Sequence, residues 1–159
     1  MAKQIAVFAD VSNLFYSLKS KFGGRKLDYK KFMDFIASFG EIKVAKAYGA
    51  QNKNEAQNFI YSLKKLGFET EWKKTKTYIN KTSFNRKADW DVGMAVDMII
   101  QSTRVDMMFL GSADGDMLPA IKYVKQMGVE VVVLASGISR ELAEEIETIE
   151  IAKSLLEGE

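Results

Sequence analysis

Residues 105–135, VDMMFLGSADGDMLPAIKYVKQMGVEVVVLA, decide the fold. Val105 to Leu110 reads as a strand, and Gly111 to Gly115 as a tight loop. Asp116 to Met127 reads as a helix closed by Gly128, with Val129 to Leu134 as the next strand. Working outward, the same alternation recurs. Gln4 to Ala9 (QIAVFA) is a short apolar, β-branched run, as in a strand buried on both faces. Ser12 to Lys21 follows as a helix with Leu14, Phe15 and Leu18 on one stripe, broken by Gly23-Gly24. Asp28 can cap a helix from Tyr29 to Phe39, where Phe32, Phe35, Ile36 and Phe39 keep helical spacing and Gly40 takes the C′ position. Glu41 to Ala50 is a strand, Asn54 to Leu66 a helix ended by Gly67, and Phe68 to Lys74 a weakly alternating strand.

Asp89 to Gln101 reads as a helix with Val92, Ala95, Val96 and Ile99 turned inward. Met94, Met98, Met107 and Met108 are core residues in this reading. Ser139 can cap a last helical region running through Leu156. Alternating strands and helices with right-handed crossovers predict an α/β fold. The expected form is a Rossmann-like three-layer sandwich with a mostly parallel sheet of about five strands. The 159 residues suit a single domain spanning 1–159.

The chain has no His and no Cys. Ser-His-Asp and Cys-His catalysis, disulfides, zinc fingers and His-ligated transition metals are therefore excluded. Any acid–base chemistry must use carboxylates, Lys or Tyr, and any metal must be held by oxygen, which selects Mg²⁺, Mn²⁺ or Ca²⁺. No apolar run reaches the roughly 20 residues of a membrane span, so a cytoplasmic protein without a membrane partner is expected. The formal net charge of +2 hides an uneven distribution. Residues 72–87, WKKTKTYINKTSFNRK, hold six basic residues and no acidic one, which leaves the rest of the chain net acidic.

Ligands of open parallel sheets bind at the carboxyl ends of the strands. Asp10 directly follows the first strand, and Asp114 and Asp116 follow the strand before GSADGDM. Asp89 and Asp91 open the helix in KADWDVGMAVD. Each of these is also a good helix-capping or first-turn residue, and that reading stays open for any one of them. As a set they suit a hard cation, because converging carboxylates need a counter-charge. Asp97 lies in the apolar stripe GMAVDMII and needs a partner or a cleft. It either orients the site or binds a further ion. Asn13, three residues after Asp10, is placed to bond a phosphate, water or Asp10, or to serve a turn. Ser112 offers a donor to a carboxylate or phosphate, or to the loop backbone. Lys73, Lys74, Lys76, Lys81, Arg86 and Lys87, interleaved with Trp72, Tyr78 and Phe84, suit phosphates and unpaired bases.

Three pieces, AVFADVSNLF, KADWDVGMAVDM and FLGSADGDMLPAIKYVKQMG followed by VEVVVLA, resemble the NYN domain family. The likeness is to its LabA-like bacterial group, related to PIN-domain ribonucleases, and runs from Ile5 to Ile149. The family's Asp-x-x-Asn matches Asp10 and Asn13, and its Ser-Gly-Asp-x-Asp-Phe matches Ser112 through Met117. Its middle Lys-Gly-x-Asp motif matches Lys87 through Asp91, with a following Asp at Asp97. Ala88 stands for the middle glycine, and Asp89 leaves the register open between Asp89 and Asp91, with Asp91 favoured. Ala113 and Met117 replace a Gly and a Phe.

The resemblance implies a PIN-like fold and metal-dependent cleavage of RNA. Asp10, Asp91, Asp114 and Asp116, with Asn13, would form the catalytic set, and Asp97 would join the carboxylates as a metal ligand. Mg²⁺ or Mn²⁺ is the implied cofactor. Single-stranded or structured RNA is the implied partner, with a homo-oligomer left open. Ser112 and the cations of 73–87 would hold substrate. The alternative is an RNA-binding or regulatory module with little or no nuclease activity. A phosphatase or Toprim-type site fits less well, since position 12 is Ser and the first strand ends in Asp10.

Overall fold

A computed structural model describes residues 1–50, 53–73 and 90–158, with 53–55 described for their backbone only. The strands are β1 (Gln4–Asp10), β2 (Glu41–Ala50), β3 (Glu69–Lys73), β4 (Met107–Gly111), β5 (Glu130–Ala135) and β6 (Glu147–Glu150). The helices are α1 (Val11–Phe22), α2 (Tyr29–Ala37), α3 (Lys53–Lys65), α4 (Asp91–Gln101), α5 (Leu118–Gln126) and α6 (Arg140–Glu145). The strands form one six-stranded sheet in the order β3-β2-β1-β4-β5-β6, parallel at every pairing.

The central strands are apolar because both faces are covered. Ile5 through Ala9, and Met107 through Leu110, are buried almost completely. The edge strands β3 and β6 carry charged residues, which suits strands that present unpaired backbone. The sheet grows one way from β1 through β2 to β3, and the other way from β4 through β5 to β6. Right-handed crossovers therefore place α1–α3 on one face and α4–α6 on the other. The C-terminal segment returns to the first face, where Asp28 N–H donates to the Leu155 carbonyl (2.9 Å) and Leu27 bridges Leu156.

The fold class is as the sequence implies, with a sixth strand beyond the five expected. Ser139 does cap a helix, through its hydroxyl to Leu142 N–H, but that helix stops at Glu145. Ile146 turns to an extended conformation (φ −142°, ψ 152°), and Glu147–Glu150 joins β5 as an edge. The remainder of the expected helix is a 3-10 turn at Lys153–Leu155.

Gly40 is not a left-handed helix cap. It begins the approach to β2, where a Cβ would lie 2.4 Å from the Lys3 carbonyl oxygen. On α4, Met94 and Met98 face the core, while Val92, Val96 and Ile99 are exposed, the reverse of the inward stripe read from the sequence for those three. Because α4 is apolar on two sides, periodicity could not choose between them.

Phe109, at the centre of β4, is fully buried with its ring 5.2 Å from that of Phe39. Phe109→Ala should cost about 3–5 kcal/mol in urea unfolding, through lost burial and the cavity left behind.

Candidate metal centre

β1 and β4 are neighbours, paired from Ile5↔Met107 to Ala9↔Gly111. They end side by side at the point where the sheet changes direction, and each delivers acidic residues there. A Cβ on Gly111 would meet Leu14 Cδ1 at 3.2 Å and Ala9 Cα at 3.3 Å. The missing side chain lets the start of α1 sit closely over both strand ends.

Four side-chain bonds shape this corner. Asp10 caps α1, its Oδ1 accepting from Asn13 N–H (3.1 Å). The Asn13 side-chain oxygen accepts from Ala113 N–H (3.0 Å), which ties α1 to the loop after β4. Asp114 Oδ1 accepts from Asp116 N–H (2.9 Å), capping the 3-10 turn Gly115–Met117 that leads into α5. Ser112 is fully buried, and its hydroxyl accepts from Asp114 N–H (3.2 Å). It shapes the loop from beneath.

Asp91 reaches the same corner from the first turn of α4. Trp90 fixes the helix start, because its indole Nε1 donates to the Gly49 carbonyl (2.9 Å). Carboxylate oxygens of Asp91, Asp114 and Asp116 all lie within 4.8 Å of one another. Asp91 and Asp114 are half-buried and Asp116 is exposed. Asp10 lies outside this trio by the same measure but shares the corner through β1 and Asn13. A group of oxygen donors at this spacing fits a hard divalent cation.

The structure does not bring Asp97 into the trio. Asp97 accepts from the Tyr48 hydroxyl (2.5 Å) and pairs with Lys46 (3.5 Å). Burial, followed by the bond to Asp97, raises the Tyr48 hydroxyl far above its ordinary range, so it remains a proton donor. Burial likewise raises Tyr29, with the charge of Asp10 adding to the effect. Lys73 lies over the Trp90 ring, 4.3 Å from its centroid. Lys74, Lys76, Lys81, Arg86, Lys87 and Asp89 lie outside the described residues.

Sequence reasoning missed Trp90, Tyr48 and Glu141. A Glu141 carboxylate oxygen lies 3.4 Å from where a Cβ on Gly115 would sit, beside the acidic loop. Its only sequence signal was its place soon after a buried strand.

The NYN domain matches residues 4–151. This chain belongs to the NYN domain family. It is similar to the low amplitude and bright protein LabA of Synechococcus elongatus, with 29% identity over 87% of this chain and 78% of that protein. An uncharacterized protein of Methanocaldococcus jannaschii is 27% identical over 84% of this chain, which spans 48% of that protein's length. The crystal structure of a protein of unknown function from Vibrio parahaemolyticus has the same fold. Its TM-score is 0.84 at 29% identity, over 98% of this chain and 96% of that one. Among the described residues, no helix is long and apolar enough to cross a membrane. Membership of this PIN-like family suggests a nuclease-related function at family level, and the chain carries an acidic cluster.

Asn13→Ala removes the acceptor of Ala113 N–H. It should cost about 1–3 kcal/mol of stability in denaturant unfolding. A change below about 0.5 kcal/mol, the range of ordinary surface substitutions, would show that the tie between α1 and the loop carries no weight.

Proposed function

We propose that this protein is a metal-dependent ribonuclease that hydrolyses phosphodiester bonds of RNA in the cytoplasm. The observation that carries this reading is the Asp91, Asp114 and Asp116 trio at the point where the sheet changes direction. In a chain without His or Cys, carboxylates are the available ligands, and they suit Mg²⁺ or Mn²⁺. Asp91, Asp114 and Asp116 would hold the cation, with Asp10 as the fourth carboxylate. A bound divalent cation supplies a water of lowered pKa and stabilises charge on the phosphodiester and its leaving oxygen.

The chain's own residues do the positioning. The cap bonds of Asp10 and Asp114 each engage one oxygen, Oδ1, and so fix how the other is presented. Asn13 and Ser112 hold the two loops in register, and through them the ligands. Asp97 is a positioning residue in this reading, orienting Tyr48 and Lys46 beside α4. Lys73, Lys74, Lys76, Lys81, Arg86 and Lys87 supply the cations that bind the strand's phosphates.

The test is cleavage of labelled single-stranded RNA with Mn²⁺ by wild type, Asp10→Asn and Asp114→Asn. Asn keeps a capping acceptor at both positions, so folding should be preserved. We expect wild type to cleave, chelator to abolish cleavage, and each variant to lose activity on the order of a hundredfold. Equal behaviour of all three proteins would dismiss the metal assignment. Tight, steeply salt-dependent RNA binding without cleavage would replace the nuclease with a binding module.

A further inference from the structure

Next to the acidic corner, on the α1–α3 face, lies a pocket of about 420 Å³. That is within the range of about 300–1,000 Å³ common to small-molecule sites. Val11 and Ser12, the two residues after Asp10, form part of its wall. Pocket and carboxylates are thus joined by the first turn of α1.

Its lining is aromatic. Phe15 and Tyr16 enter from α1, with rings 5.4 Å apart edge to face, and both are exposed, Tyr16 by 63%. Phe59 and Trp72 meet at 6.0 Å on the opposite side. Trp72 lies flat against Gly49, where a Cβ would come within 2.4 Å of the indole. Its Nε1 is buried with no hydrogen-bond partner among the described residues. Arg25 and Lys26 bring positive charge to the pocket, against Glu157 as the acid in its lining. Arg25 is held there partly by a bond to the Glu157 carbonyl (3.0 Å).

Exposed rings and flanking cations are what an unstacked base and its phosphate require. A purely apolar ligand would leave the cations unused. We propose that this pocket takes one unstacked base of an RNA strand whose backbone runs past Asp10 to the acidic trio. The proposal rests on the nuclease reading for the path of the strand. The pocket sets where along the strand the scissile phosphate falls, because one base is seated a fixed distance from the carboxylates.

The experiment is fluorescence anisotropy of short labelled single-stranded RNA, in chelator, with wild type, Tyr16→Ala and Trp72→Phe. A companion set of RNAs carries an abasic nucleotide at each position in turn. Tyr16 is largely exposed, so its removal should leave the fold intact. Trp72→Phe keeps a ring but removes the Nε1 donor. We expect Tyr16→Ala to bind roughly fivefold to tenfold more weakly, as for loss of one stacked base. One abasic position should weaken wild type by a similar factor and leave Tyr16→Ala unchanged. Trp72→Phe should show a smaller loss.

If no abasic position matters, or if Tyr16→Ala binds like wild type, the proposal is overturned. Absence of RNA binding by wild type overturns it as well. Manganese-dependent cleavage by the same proteins separates the two readings. Cleavage without the binding pattern removes the pocket alone, and the pattern without cleavage removes the nuclease and the pocket's placing of the cut while leaving the base site.

Discussion

The pairing of β1 with β4 is the constraint on which the site depends. More than half of the chain, residues 11–106, separates these strands, yet they lie side by side from Ile5↔Met107 to Ala9↔Gly111. Their contact is possible because both are apolar on two faces and each is flanked by a sheet growing away from it. That reversal leaves a crevice at the strand ends with no crossover helix filling it. Asp10 and the Ser112–Asp116 loop meet there, and α4, which carries the chain from one half of the sheet to the other, delivers Asp91.

Capping and metal binding, which looked like rival readings of these aspartates, turn out to be compatible. Asp10 and Asp114 are both caps by direct hydrogen bonds. A cap needs one carboxylate oxygen, while a cation can use the other. Capping also restricts rotation of the side chain, so a cap is a good way to aim a ligand. The trio at 4.8 Å is therefore built from ordinary helix-start chemistry placed at an unusual junction.

The sequence made the central strands and the carboxylates legible for physical reasons. Strands buried on both faces become continuous apolar runs, as in QIAVFA and VEVVVL, and Gly-Ser-Ala-Asp-Gly-Asp placed two acids on one short loop. β6 was hidden because an edge strand of four residues, ETIE, carries charge and follows a helix of similar composition. The inward face of α4 was misread because both Met94–Met98 and Val92–Val96 make plausible stripes. Asp97 pointed to a polar partner, but Tyr48 lies 49 residues away in sequence and only the β2–α4 packing brings it near. The same holds for Trp90, whose indole bonds a strand carbonyl that no local pattern announces.

The most direct measurement is anomalous diffraction from crystals of this protein soaked in Mn²⁺. An anomalous peak is expected within bonding distance of Asp91, Asp114 and Asp116, with Asp10 turned toward it and Asp97 still on Tyr48. A structure in millimolar Mn²⁺ with no peak at this corner, and with Asp10 and Asp114 acting as caps only, would contradict it.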